Sequence, residues 1–278
     1  MSSFKHVPYI IGIDEAGRGP VLGPLVYAAA YCPVSHQSML QELGFDDSKA
    51  LTADERDRLL TLIDSCDFID YELDVIDSWK ISSSMLHHHK YNLNQMSHDA
   101  AMGLIDKVIS KGIIVEQIFV DTVGDPNTYQ QKLSVRYPTI KCTVSKKADS
   151  LYPIVSAASI CAKTRRDAVI DGWSFKEESA DNAFNRDYGS GYPSDPRTKA
   201  WLQEHCSNVF GFPDFVRFSW STCSLILKDR CRKVSWCDDE DKQQTITDCF
   251  TKRKPASSKK RNAFFLTRNM LPLESRIS

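Results

Sequence analysis

The stretch Tyr9 to Gly19, YIIGIDEAGRG, constrains this chain more than any other. An apolar run of Tyr9, Ile10, Ile11 and Ile13 leads into two adjacent acids, Asp14 and Glu15, and then into a glycine turn. Short β-branched runs closed by glycine read as buried strands. Neighbouring side chains on a strand point to opposite faces, so the two acids can share a site only at the strand's end. Gly17 and Gly19 relax the backbone there. Two buried, unpaired carboxylates would cost far more than the packing of one side chain contributes. A cation is the natural compensation.

Along the chain, Val21 to Cys32 reads as a second strand in a hairpin or meander with the first, bent at Gly23-Pro24. Pro33 to Phe45 reads as a loop. Thr52 and Glu55 form a capping box ahead of an amphipathic helix carrying Leu59, Leu60 and Ile63. Phe68 to Ile76 alternates as a third strand. Asn92 to Ser110 has the clearest helical period, with Leu93, Met96, Ala100, Leu104 and Val108 three or four apart. Ile113 to Val120 and Thr139 to Val144 are strands, and a helix follows Pro153 to about Ile170. Strands first, then helix alternating with strand, predict an α/β layered domain with a mixed sheet. The expected main domain spans 1–180. A small helical lobe packed on it spans 181–236, with helices over Thr198 to His205 and Ser221 to Cys231. A mostly flexible tail, poor in apolar residues, spans 237–278.

Three of these strands run into acids: Asp14-Glu15, Asp121, and the segment leading to Asp149. Loops at strand ends are where layered α/β sheets gather functional groups. Four oxygen donors without histidine or cysteine suit a hard cation, Mg2+ or Mn2+. Two such ions about 3.5–4 Å apart form the clamp for in-line phosphodiester cleavage. The net charge of −1 gives no global basic field. Nucleic-acid binding must therefore come from local patches, for which Lys146, Lys147, Lys163, Arg165 and Arg166 are candidates. Nine scattered cysteines without a CxxC pair point to reduced thiols inside a cell. No run approaches the ~20 apolar residues of a membrane span, and no leader pattern opens the chain. The expectation is a soluble, non-secreted protein.

DEAGRGPVLGP, FVDTVG and KADSLYPIVSAASICAK occur in this order, with GSGYP beyond them. Together they resemble the type 2 ribonuclease H family, most of all the catalytic chain of the eukaryotic enzyme, over about Tyr9 to Leu227. The resemblance implies a ribonuclease H-like fold and an endonuclease that cuts RNA–DNA hybrids and nicks 5′ of single ribonucleotides in duplex DNA, leaving 3′-hydroxyl and 5′-phosphate ends. It makes Asp14, Glu15, Asp121 and Asp149 the catalytic metal ligands. Gly17, Arg18 and Gly19 become the turn that meets the 2′-hydroxyl, the one group that separates RNA from DNA at a single nucleotide. Tyr192 matches the residue against the sugar at the junction, with Tyr188 as the alternative. Ser48 and Lys49, before a helix start, match the family's DSK contact with the substrate backbone; Lys147, a basic residue close to Asp149, is expected as a further substrate contact. Two other readings stand beside this one: another two-metal nuclease of the same fold, and a nucleic-acid-binding component without catalysis, whose mark would be a missing acid. None is missing. His87-His88-His89 reads as polar surface, since consecutive histidines do not readily face one ion.

The resemblance further implies a nuclear heterotrimer with two accessory subunits, docked through the apolar end Phe264 to Leu273. Gln243, Ile246 and Phe250 fall in register with a sliding-clamp peptide, but Cys249 stands where that peptide wants an aromatic.

Overall fold

The opening run becomes the central strand, β1 (Pro8–Ala16), buried along nearly its whole length. It pairs antiparallel with β2 (Leu25–Pro33), Ala16 opposite Val26 and Tyr9 opposite Pro33. In turn β2 pairs antiparallel with β3 (Asp70–Ile76). On its other side β1 runs parallel to β4 (Ile114–Asp121), and β4 runs parallel to β5 (Lys141–Ser145). The order β3-β2-β1-β4-β5 is the expected mixed sheet. This is a computed structural model, and it describes residues 7–45, 51–89, 91–122, 124–177 and 184–232. Met1–Arg232 forms one compact unit and Lys233–Ser278 a second, which lies outside the described residues. The clamp-like and docking stretches fall in the second unit. Among the described residues no helix is long and apolar enough to cross a membrane.

Eight helices lie among these residues: α1 (Gln37–Glu42), α2 (Ala53–Ser65), α3 (Ser78–Leu86), α4 (Leu93–Ser110), α5 (Pro126–Arg136), α6 (Pro153–Asp171), α7 (Pro196–Glu204) and α8 (Ser221–Arg230). The capping box of α2 forms as expected, Thr52 and Glu55 bonding reciprocally. The Asn92 side chain caps α4 through the Gln95 amide. Three helices depart from the sequence reading. Only Leu40 of α1 is buried, so the segment carries no period. Ser78, Ile81 and Ser82 are the buried residues of α3, a mixed set that gives no apolar stripe. Polar almost throughout, α5 buries only Tyr129 and Leu133; its signal is Asp125-Pro126, an N-cap followed by proline in the first turn. The second strand also starts later than expected. Gly23 sits at φ 76° and Pro24 follows, so residues 21–24 turn before β2 begins.

Opposite faces of the sheet carry separate cores. Ile11, Ile13, Tyr27, Ala29 and Tyr31 pack with residues of α4 and α5. Ile10, Val26, Ala28 and Ala30 pack with residues of α2 and α6. The first turn of α6 lies directly on β1: a Cβ at Gly12 would stand 2.6 Å from the Val155 nitrogen. Only glycine permits that approach, and it sets α6 against the end of β1 that carries the acids. A third cluster joins Val21 and Leu22 to Phe175, Trp201, Phe212, Phe215 and Val216.

Candidate active site

The carboxylates of Asp14 and Glu15 project from opposite faces of β1 close to its end. Asp14 is buried and bonds to Ser159 of α6. Glu15 is half-buried and reaches the α4 and α5 side. Both nevertheless line one cavity of about 570 Å³, together with Asp121, Gly17, Arg18, Gly19 and Tyr192. Parallel pairing explains the arrival of Asp121. Val120 lies beside Ile13, so the next residue of β4 emerges next to Asp14 at the same sheet edge. Burial drives the Asp14 carboxyl well above the usual carboxylate range, and the charges of Glu15 and then Asp121 push the same way.

Asp149 occupies the 3-10 turn Ala148–Ser150 after β5 and is buried. Its backbone is tied to the site, because the Ala148 amide donates to Asp121 Oδ1 at 2.8 Å. Its side chain does not line the cavity. Lys147 opens that turn in the left-handed region, φ 57°, unusual for a side chain of this kind. It is exposed and does not line the cavity either. Among the described residues, no three acidic, histidine or cysteine side chains are drawn close enough, as they stand, to hold an ion. The donor chemistry still fits one. Three oxygen ligands share a cavity, and their mutual repulsion is what a hard divalent cation relieves.

The glycine turn is held from beneath. Gly17 sits at φ 85°, and a Cβ there would stand 2.7 Å from the Pro24 carbonyl and run into the Arg166 side chain. Arg166 itself donates to the carbonyls of Pro24 at 3.2 Å and Leu22 at 3.1 Å. Arg217, fully buried, donates to the carbonyls of Gly17 at 2.6 Å, Arg18 at 3.2 Å and Gly23 at 2.9 Å. Trp220 Nε1 donates to the Gly19 carbonyl at 3.1 Å, and the Arg217 guanidinium lies 5.0 Å from the Trp220 ring centre. Burial, and then Arg166, push the Arg217 guanidinium down to about 9, which leaves it charged at neutral pH. The Arg18 side chain turns toward α4 and bonds to Ser97 and Asn94.

Tyr192 is half exposed and lies over the turn; a Cβ on Gly19 would come within 3.0 Å of its ring. Its loop is fixed where the Val21 amide donates to the Gly191 carbonyl at 2.8 Å. Tyr188 instead packs against Trp201 and Phe215, which makes it a core anchor. Of the basic candidates, Lys163 and Arg166 line the cavity, while Arg165 lines a groove with Trp79 elsewhere. The three histidines are exposed, with rings against one another. Ser48 and Lys49 lie outside the described residues.

Sequence reasoning missed Arg217, Trp220 and a second cavity of about 230 Å³ on the other side of Glu15. The side chains of Asp121, His98 and Tyr129 also line that cavity. His98 stacks on Tyr129 with ring centres 3.9 Å apart. Burial, then Lys132 and Arg18, hold His98 below the usual imidazole range. A buried arginine among aromatics, FVRFSW, was the available signal for Arg217.

Comparison with known proteins agrees with this geometry. The family model described as Ribonuclease HII matches residues 11–223, a span that holds every cavity residue named above. The A subunit of ribonuclease H2 from Homo sapiens is 49% identical over 274 residues, covering 96% of this chain and 90% of that one. The crystal structure of the ribonuclease H2 from Pyrococcus horikoshii OT3 matches with TM-score 0.64 at 33% identity, over 80% of this chain and 98% of that chain. The RNase HII of Archaeoglobus fulgidus, solved in a PCNA:RNase HII complex, matches with TM-score 0.64 at 29% identity, over 83% and 99%. The mixed sheet is thus the ribonuclease H-like sheet that the motifs implied. Fold, motif order and matched span converge: the chain belongs to the ribonuclease HII family.

Proposed function

We propose that this chain is an endoribonuclease that cleaves the RNA strand of RNA–DNA hybrids and nicks duplex DNA 5′ of single ribonucleotides, leaving 3′-hydroxyl and 5′-phosphate ends. One observation carries the reading: three carboxylates, Asp14, Glu15 and Asp121, share a cavity with a braced glycine turn and an exposed tyrosine ring. Family resemblance adds Asp149 as the fourth acid. These residues would hold Mg2+ or Mn2+, two ions at turnover, which when bound supply an activated water and stabilise the leaving oxygen.

The chain's own residues do the selecting. Arg217 and Trp220 already occupy the carbonyls of Gly17, Arg18 and Gly19. With the carbonyl side braced in this way, the 2′-hydroxyl is placed at the N–H side of the turn, as acceptor. Tyr192 offers its ring to the next sugar, where a deoxyribose presents an unsubstituted face. Lys163 stands beside the carboxylates on the cavity wall, in position for the scissile phosphate. Ser48, Lys49 and Lys147 are proposed contacts with the substrate backbone farther along.

The human relative is by name one component of a multi-component enzyme, which supports assembly with other chains. We infer two accessory subunits, docked through residues 264–273, and work in the nucleus. The archaeal relative solved with PCNA supports a sliding clamp as a further partner; Gln243, Ile246 and Phe250 stand in register with such a peptide, and Cys249 in its aromatic position makes that contact weak. The test uses the full chain with any partners that co-purify. With Mg2+ it should nick a duplex holding one ribonucleotide and leave the all-DNA duplex intact. Equal cutting of both duplexes would overturn the reading.

A further inference from the structure

Cys206 and Cys231 face each other at the two ends of the segment that holds Arg217 and Trp220, the residues that brace the glycine turn. Their sulfurs stand 3.8 Å apart across 25 residues of sequence, and both thiols point at the Ser207 carbonyl. The backbone is also clamped here, where the Arg232 amide donates to the Asn208 carbonyl at 3.1 Å and Arg230 bonds to the Gln203 carbonyl. Two cysteines held in contact by secondary structure on both sides need a small closing motion to reach the ~2.05 Å of a disulfide. The loop they would close has a particular content. It holds Arg217 and Trp220, the two side chains that bond the carbonyls of Gly17, Arg18 and Gly19.

We propose that Cys206 and Cys231 form a reversible thiol–disulfide modification site, oxidised by hydroperoxides, that closes the segment bracing the glycine turn into a covalent ring. This rests on the reading of that turn only for its consequence; the bond itself is independent of catalysis. Cys206 is buried, whereas Cys231 is partly exposed and meets the oxidant first. Its thiolate attacks one peroxide oxygen: an S–O bond forms, the O–O bond breaks, and the departing oxygen leaves as water after taking a proton. The Cys206 sulfur then attacks the sulfenic sulfur. The S–S bond forms, the S–O bond breaks, and a second water leaves with the Cys206 proton. Two thiols lose two electrons and hydrogen peroxide becomes two waters. Burial, and then the neighbouring Cys231, push the Cys206 thiol up to about 11, consistent with its role as the resolving partner.

The test treats the full chain with hydrogen peroxide, blocks remaining thiols by alkylation, and maps peptides by mass spectrometry. The expected result is a dithiothreitol-reversible Cys206–Cys231 peptide, accompanied by a higher unfolding midpoint that Cys231→Ser and Cys206→Ser both abolish. Nicking of the one-ribonucleotide duplex, assayed in parallel, reports separately on the proposed function. A Cys206–Cys223 linkage, Cys231 recovered as sulfinic or sulfonic acid, or both thiols still alkylated after peroxide would each overturn the proposal.

Discussion

The Nη2 of Arg217 donates to the carbonyl of Gly17 at 2.6 Å across 200 residues of sequence. That bond places a buried cation from the segment between α7 and α8 directly beneath the turn at the end of the central strand. That segment is therefore part of the site's architecture, since the turn's carbonyl side is held by residues beyond α7. We expect Arg217→Gln to leave those carbonyls short of donors and to lower stability by about 2–4 kcal/mol. The variant should also cut a ribonucleotide with a smaller preference over DNA. Urea unfolding together with the rate ratio on paired duplexes measures both, and an unchanged ratio would confine Arg217 to a purely structural role.

Asp14→Asn separates chemistry from stability. Burial and two neighbouring acids raise the Asp14 carboxyl well above its ordinary value, so in the cation-free protein its charged form opposes folding. That cost is absent below the unfolded value of ~3.9, grows as the pH rises toward the folded value, and is fully present above it. The amide removes it. We expect cleavage to vanish while the unfolding free energy measured in chelator at neutral pH rises by about 1 kcal/mol or more. A variant that cleaves normally contradicts the role of Asp14.

Gly17→Ala forces a side chain into the left-handed region, at about 1–2 kcal/mol, and toward the Pro24 carbonyl and Arg166. The turn must shift, so kcat/KM for a single ribonucleotide should fall much more than affinity for the duplex. Steady-state kinetics beside a binding isotherm distinguishes the two.

Tyr192→Ala removes the ring that the proposed function sets against the sugar following the ribonucleotide. Cleavage at an RNA-to-DNA junction should drop, and Tyr192→Phe should retain most activity, because the ring carries the contact. A loss as large with phenylalanine as with alanine would assign the contact to the hydroxyl.

The loop presenting Tyr192 has a pH-dependent anchor. Bonds from the Ser190 amide and hydroxyl, and then the Arg197 amide, push the Asp195 carboxyl down to about 2. A depressed acid favours the folded state above its unfolded value of ~3.9, and this contribution is lost as the pH falls toward the folded value. The protection factor of the Ser190 amide, its exchange rate set against the intrinsic rate at the same pH, should stay high above that window and fall on acidification through it, and Asp195→Asn should show low protection throughout.

Much of this was legible in the sequence because its causes are local. The apolar run before Asp14, the Thr52–Glu55 box, the Asn92 helix and the acids at strand ends all depend on near neighbours and emerged where the residues placed them. Asp14, Glu15, Asp121, the glycine turn and Tyr192 do share a cavity. What stayed hidden is long-range or weakly patterned. Nothing in the periodicity of FVRFSW says that its arginine reaches back to Gly17. Helix α5 is too polar to show an apolar face, and α1 buries a single side chain. Lys147 was expected as a substrate contact and Asp149 as the fourth metal-binding acid. The first is exposed in a left-handed turn and the second is buried beside it, neither lining the cavity.

The most direct measurement is to map the cut made in a 5′-labelled duplex containing one ribonucleotide, using the full chain with its co-purified partners, Mg2+, and Asp121→Asn in parallel. The expected result is a single nick on the 5′ side of the ribonucleotide with a 3′-hydroxyl end, absent in chelator and absent in the variant. A nick on the 3′ side, or wild-type cutting by Asp121→Asn, would contradict the assignment of the acids and the turn to one ribonucleotide-reading nuclease site.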